Sequence, residues 1–510
     1  MGLSSFIRAG QYKSPLRVVA GILLRSRETQ AERARCKSEE IEQLKLVNQQ
    51  QQRDLDEANE SRAEMRLQTA QLKIENEHLR RQSVVLPHDP VLPDHKFGPK
   101  MISVCVNLAM KVGLRASITC LKIVLDWLGA DVRLPDWTTV RTWLMRLGVA
   151  ALEAPVEEAD DWVWMADHSN QIGEEKALAV IGIRASHMPE PGVAINHQDV
   201  RLLMLEPGVN WKTEDMAAAY ERLSEKIGNP LAVLTDGACE LRDGAEILQK
   251  RRKGTILLRD FKHFAANVLK SVVGTDERFA EFTSQTGRTR CAIQQTELGQ
   301  LTPVSPRPKS RFMNLSATLN WAGMVLWHLS HPHSASRKII TTSRLNEKLG
   351  WLRKYRPDIL RWSRCQDVVS TALTFVNEQG LFRGAADQLV QLLASLEMCE
   401  SSQTVANRLL DFLREQETKL AEGQRLPMST EILESCFGLF KQLEGQHSKG
   451  GFTSLLAAFG ALLRPTTPES IRADFSRVSV KQMRTWVERN LGTTLASKRK
   501  AAYAEFKSAA

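Results

Sequence analysis

Two aspartates and a glutamate are the side chains around which a chemical site could be built. DWVWMADHSNQIG contains a short apolar run that stops at Asp167, and LAVLTDGA contains another that stops at Asp236. A third acid, Glu434, lies far downstream in STEILESCFGLFKQLEG, and a further apolar run ends in Asp260-Phe-Lys-His263. Carboxylate oxygens are the hard ligands that Mg²⁺ and Mn²⁺ prefer. The same residues have plainer uses: Asp167 can cap a turn, Asp236 can open an Asp-Gly turn, and Asp260 can cap a helix carrying a partly exposed His263. Nitrogen and sulfur ligands do not compete with them. The eight cysteines occur singly without a C-x-x-C pair, and the one close histidine pair, His331 and His333, sits in a proline-containing loop.

The elements that must position these acids follow from periodicity. Apolar runs bounded by Gly, Pro and Asn predict strands ending at Asp167, over Lys176 to Ala185, over Val200 to Gly208, ending at Asp236 and ending at Asp260. Helical spacing falls in TEDMAAAYERLSEKIGNP and CELRDGAEILQKRR, so the order is three strands, a helix, a strand, a helix, a strand. Around Glu434, the residues Ile432, Leu433, Cys436, Phe437, Leu439 and Phe440 form one apolar arc of a helix. Glu434 lies just beyond the edge of that arc. Glu431 sits in the first turn after Ser429 and Thr430, where an acid merely complements the helix dipole.

That order, with a carboxylate ending the first and fourth strands, resembles the ribonuclease H-like fold of polynucleotidyl transferases. Within it the chain is similar to DDE transposases of bacterial insertion sequences that carry a helical insertion before the final Glu. Three matches carry the likeness: the order Asp167, Asp236, Glu434; Asp260-x-x-His263, similar to an Asp-x-x-His motif after the last core strand; and Lys441 placed seven residues after Glu434, similar to the spacing in a Tyr-Arg-Glu-Lys signature. Pro427 and Thr430 stand where the Tyr and Arg of that signature would be. The resemblance implies that the first and fourth strands lie side by side, bringing Asp167 and Asp236 together. It implies that Asp167, Asp236 and Glu434 are catalytic and hold two Mg²⁺ (or Mn²⁺) ions, that Asp260 and His263 support the site, and that Lys441 contacts a DNA phosphate. The implied activity is cleavage at element ends followed by strand transfer. A nuclease of the same fold and a non-catalytic DNA-binding descendant are the alternatives.

The fold expected is an α/β ribonuclease H-like core with an inserted all-α domain, preceded by a helix-turn-helix domain and an N-terminal coiled coil. A basic arm covers 1–27. Residues 28–83 lack Pro and Gly over most of their length and fit a 3-4 register with Asn48 and Asn76 at a-type positions, predicting a coiled coil that forms a homodimer or higher oligomer. A proline-rich linker spans 84–100, and 101–150 has the outline of a helix-turn-helix unit. There Asp136 caps the last helix and Thr138, Arg141 and Thr142 are the candidates for DNA contact. The core occupies 151–270, the helical insertion 271–426, the helix with the third acid 427–465, and a basic helical tail 466–510. Within the insertion Trp321, Trp327, Trp351 and Trp362 are expected mostly in the core, with Arg307, Lys309 and Arg311 in a loop. A formal charge of +10 suits a polyanionic partner, here the terminal inverted repeats and target DNA. The longest N-terminal apolar run, VVAGILL, is too short for a bilayer, so no membrane is expected and the location expected is the cytoplasmic nucleoid.

Overall fold

A computed structural model describes residues 64–73, 88–130, 132–170, 175–304, 312, 315–331, 340–447, 454–491 and 495–508. The chain divides into two units. One comprises Met1–Ser83, Ala265–Ala372 and Val390–Leu410; the other comprises Val84–Phe264, Leu373–Leu389 and Asp411–Ala510. Of the expected coiled coil only 64–73 is described, as helix exposed throughout; the rest of it and the basic arm lie outside the described residues.

The second unit is mixed α/β. Three helices, α1 (Pro99–Val112), α2 (Leu114–Trp127) and α3 (Trp137–Leu152), precede the strands β1 (Trp162–Asn170), β2 (Glu175–Arg184) and β3 (Arg201–Val209). Then come α4 (Thr213–Ile227), β4 (Ala232–Thr235), α5 (Cys239–Arg251), β5 (Ile256–Arg259) and α6 (Phe261–Val272), whose first turn belongs to this unit. The order of strands and helices is the one the periodicity predicts. The five strands form one mixed sheet ordered β3-β2-β1-β4-β5. β1 and β2 are antiparallel, as are β2 and β3, whereas β4 runs parallel to both β1 and β5.

Alternation decides what each face buries. Trp162, Trp164, Ala166, Val180 and Val233 form a core with Met216, Tyr220 and Leu223 of α4 and Leu241 and Leu248 of α5. Val163, Met165, Ala232 and Leu234 are equally buried on the opposite face. On that side α7 (Glu431–His447) lies against β1, while α3 and a 3-10 segment, Ser454–Leu463, lie against β3.

The segments 101–150 and 466–510, expected as separate domains, share one core. Ile102, Val106, Val140, Leu144 and Leu147 pack with Leu455, Ala458, Ile471, Phe475 and Met483, which come from the 3-10 segment, α8 (Pro468–Arg477) and α9 (Val480–Leu491). Arg146 makes the join specific. Its side chain is buried, donates to the carbonyls of Val478 and Phe475, and stacks on the Phe475 ring with the guanidinium carbon 4.0 Å from the centroid. The backbones cross at two glycines: a Cβ on Gly148 would stand 2.0 Å from the Ala457 carbonyl oxygen, and one on Gly460 2.7 Å from that of Gly148. Backbone cannot yield as a flexible side chain does. Gly148→Ala is therefore expected to destabilise the protein by about 1–3 kcal/mol in urea unfolding, and a midpoint equal to wild type would show that the crossing has slack.

In the first unit the described residues of 277–372 are largely helical, built round an aromatic cluster of Phe279, Phe282, Tyr355 and Trp362. Trp321, Trp327 and Trp362 are buried there and Trp351 is half-buried, as expected of core residues; Arg307, Lys309 and Arg311 lie outside the described residues. Among the described residues no helix is long and apolar enough to cross a membrane.

Candidate active site

Register places the acids. The parallel pairs Ala166 with Thr235 and Thr235 with Arg259 are the last in their ladders, so Asp167, Asp236 and Asp260 come next on three adjacent strands; β4 and β5 end there, whereas β1, expected to end at Asp167, runs on to Asn170 because β2 still pairs with it. In-register neighbours on parallel strands point to the same face, roughly 4.8 Å apart from strand to strand. That face is the one α7 covers.

Asp260 is the structural member of this row. It is 2 % exposed and accepts four donors: the backbone N–H of His263 at 2.6 Å, His263 Nδ1 at 3.1 Å, Thr430 Oγ1 at 2.7 Å and the Thr430 backbone N–H. Burial pushes its carboxyl up, but the hydrogen bonds from His263 and Thr430 and the charge on His263 hold it below the usual range. Beside it, Phe261 N–H donates to the Met428 carbonyl at 2.9 Å. The start of α6 is thus stitched to the start of α7 by the carboxylate that caps α6.

This stitching sets where Glu434 points. One turn into α7, its carboxylate accepts from Lys262 Nζ at 2.8 Å and lies 3.7 Å from His263 Nε2. Lys262 also reaches Glu431 at 3.2 Å, whose other oxygen accepts from Asn377 at 2.8 Å. The apolar arc read from the sequence is the buried side of α7, with Glu434 half-exposed at its edge and Glu431 exposed.

The charges of Asp236 and Glu434 both act on Asp167. Burial first, then the Asp236 charge, with Glu434 adding, push the Asp167 carboxyl up to about 7. Burial likewise raises Asp236. His263 goes the other way: burial opposes its charge, but Asp260, Glu434 and Asp236 outweigh that and raise it to about 9, so it is an imidazolium at neutral pH. Next along β1, His168 is driven down to about 4 by burial and stays neutral, with Glu240 3.8 Å away.

No family model and no curated protein matches this chain. Among solved structures, one titled Drosophila P element transposase strand transfer complex aligns with 76 % of this chain and 94 % of that chain, at 11 % identity and a TM-score of 0.36. A likeness that distant carries no argument about the site.

Asp167 and Asp236 suit a hard divalent cation: they offer only oxygen, stand in register on neighbouring strands, and are driven towards protonation by burial and, at Asp167, by mutual repulsion. As the side chains stand, no three His, Cys, Asp or Glu residues among the described residues are grouped to hold one ion, and Glu434 is turned to Lys262. A carboxyl whose folded pKa lies near 7, against about 3.9 unfolded, loses stability as pH rises between those values. Metal-free wild type is therefore expected to lose up to ~4 kcal/mol of stability from pH 4 to pH 7 through Asp167, and Asp167→Asn to remove most of that slope. Added Mn²⁺ should raise the melting temperature of wild type and not of Asp167→Asn; identical pH slopes in the two would remove the basis for this account.

The remaining predicted contacts lie elsewhere. Lys441 is exposed two turns along α7 from Glu434. On α3, Thr138 is exposed, but its hydroxyl donates to the capping Asp136 at 2.5 Å, and that of Thr142 donates to the Thr138 carbonyl at 2.9 Å. Arg141 departs from expectation: it is half-buried and donates to Ser454 of the 3-10 segment, because that segment covers the face the sequence leaves open. Lys262 and Asn377 have no part in the sequence reading, and Thr430 enters it only as a marker of the helix start and as the residue standing where a signature Arg would be. Only Lys262 carried a signal, sitting inside the Asp260–His263 motif.

Proposed function

We propose that this protein is a DDE-type transposase, with a ribonuclease H-like core in which Asp167, Asp236 and Glu434 are the catalytic acids. The observation that carries the reading is the register: the parallel pairing of β1 with β4 sets Asp167 beside Asp236, and it is supported by the Asp260–Thr430 clamp, which starts α7 beside that row, and by the Glu434 charge acting on Asp167. The strand order β3-β2-β1-β4-β5 with helices on both faces supports the core assignment.

Asp167 and Asp236 would hold the divalent ions, Mg²⁺ or Mn²⁺, with Glu434 joining them once free of Lys262. Bound there, two such ions activate an attacking oxygen and stabilise a leaving one. The chain's own groups do the rest. His263, held as an imidazolium by Asp260, keeps Glu434 close to the aspartates. Lys262 neutralises Glu434 until an anionic DNA strand competes for its ammonium. Exposed Lys441 is available to a DNA phosphate. The partners on this reading are the element's inverted repeats and target DNA, with the segment before residue 84 pairing copies of the chain.

The test is incubation of the full chain with Mg²⁺, a labelled duplex carrying the repeat that flanks its gene, and a supercoiled plasmid. Nicking at the repeat and joining of the freed 3′ end to plasmid supports the reading; nicking without joining leaves a nuclease, and binding without either leaves a DNA-binding protein.

A further inference from the structure

Glu434 is faced by a cation at each oxygen. Its Oε2 accepts from Lys262 Nζ at 2.8 Å, and its Oε1 lies 3.7 Å from His263 Nε2. A carboxylate so occupied turns to the aspartates only when one of the two lets go. His263 is the fixed one, because its Nδ1 and its backbone N–H are both tied to the buried Asp260 carboxylate. Lys262 has an alternative: its ammonium also reaches Glu431 Oε1 at 3.2 Å, and Glu431 stands one turn before Glu434 on the same side of α7. That alternative is held ready. Asn377, in the last turn of the helix Arg356–Gln379, donates to the other Glu431 oxygen at 2.8 Å, so an acid whose side chain is 48 % exposed is kept against the site and not left to solvent. Lys262 itself is only 16 % exposed, and a charge that buried is costly to leave without a partner. Burial works against the ammonium, but the carboxylates of Glu434 and Glu431 outweigh it and hold Lys262 above the usual lysine range.

We propose that Glu431 is a positioning residue for Glu434: it is the acceptor to which Lys262 swings across, so that Glu434 can turn to Asp167 and Asp236 without leaving a buried ammonium unpaired. In the sequence Glu431 is an acid complementing a helix dipole; the bonds to Lys262 and Asn377 give it a second use. From Glu431, the more exposed of the two acids, the ammonium is open to a passing anion. The inference rests on the function proposed above in one respect, that Glu434 is a ligand of the divalent ion. The apparent affinity for that ion then scales with the fraction of time Glu434 is free. Glu431 and Asn377 set that fraction, although neither touches the aspartates.

The test is Mn²⁺ binding to the full chain without DNA, followed by the paramagnetic resonance signal of free Mn²⁺. Glu434→Gln is expected to weaken binding as a lost ligand does, and Glu431→Gln to weaken it by roughly tenfold although it is no ligand. Asn377→Ala, which lets Glu431 drift to solvent, should lose part of that. The deciding protein carries Lys262→Gln together with Glu431→Gln: with no lysine to hold Glu434, binding should return at least to wild-type strength. Wild-type binding by Glu431→Gln, in a chain that joins ends, overturns the proposal and leaves the transposase reading intact. Binding by the double variant as weak as by Glu431→Gln alone overturns it as well, by making Glu431 a ligand or a support of the fold. So does wild-type binding by Glu434→Gln, which removes the ligand that Glu431 serves. Should the expected pattern hold while wild type neither nicks nor joins, the exchange of Lys262 stands and the transposase reading fails.

Discussion

Asp236→Ala is expected to lower joining by at least about a thousandfold while duplex affinity stays within about twofold of wild type. The separation of the two readouts follows from position. Asp236 is held at the end of β4 by its own turn, accepting from the Ala238 N–H at 2.8 Å, and it touches none of the exposed cations available to DNA phosphates. Its replacement removes one of two in-register carboxylates without altering that positive surface. Burial, the larger cause, still raises Asp167 in this variant, but losing the Asp236 charge should bring its carboxyl part of the way down, visible as a somewhat weaker pH dependence of stability. Joining at the wild-type rate by Asp236→Ala would end the catalytic assignment. A parallel loss of affinity would instead mean that the aspartate holds the fold.

Asp260→Ala is expected to cost about 3–5 kcal/mol in urea unfolding and to disable joining through a different route. Four donors converge on that carboxylate, and the Thr430 side chain beneath it is fully buried. Truncation strands the Thr430 N–H and hydroxyl away from water and releases His263 from its strongest partner. The imidazole, still buried but without that partner, should then titrate well below its present value of about 9. A histidine raised in the folded state lends stability that is complete below about 6.5 and fades as pH climbs through 9, so the deficit of Asp260→Ala should be larger at pH 6 than at pH 10. Asp260→Asn, which keeps one acceptor oxygen, should lose less. A stability loss below about 1 kcal/mol for Asp260→Ala would show that α6 and α7 do not depend on the clamp.

The succession of strands and helices along the chain and the edge position of Glu434 were legible because both are periodic properties: alternation names a buried face of a strand, and helical phasing names a buried arc. What covers a face is not periodic. The sequence shows that Val140, Leu144 and Leu147 lie on one side of α3, but not that residues 454–491 come back to cover it and take Arg141 with them. The pairing of Lys262 with Glu434, or of Asn377 with Glu431, likewise joins residues whose local patterns are silent about each other. Asp260 is intermediate: its cap on His263 is local and readable, its grip on Thr430 is not.

The glycine crossing and Arg146 bind α3 to a segment synthesised long after it. At roughly 5–20 residues per second, nascent α1 to α3 wait on the order of tens of seconds with an oily flank bare before their cover leaves the ribosome. Any product ending before the 3-10 segment would keep that flank uncovered permanently, and is expected to be recovered with holdase chaperones or in inclusion bodies.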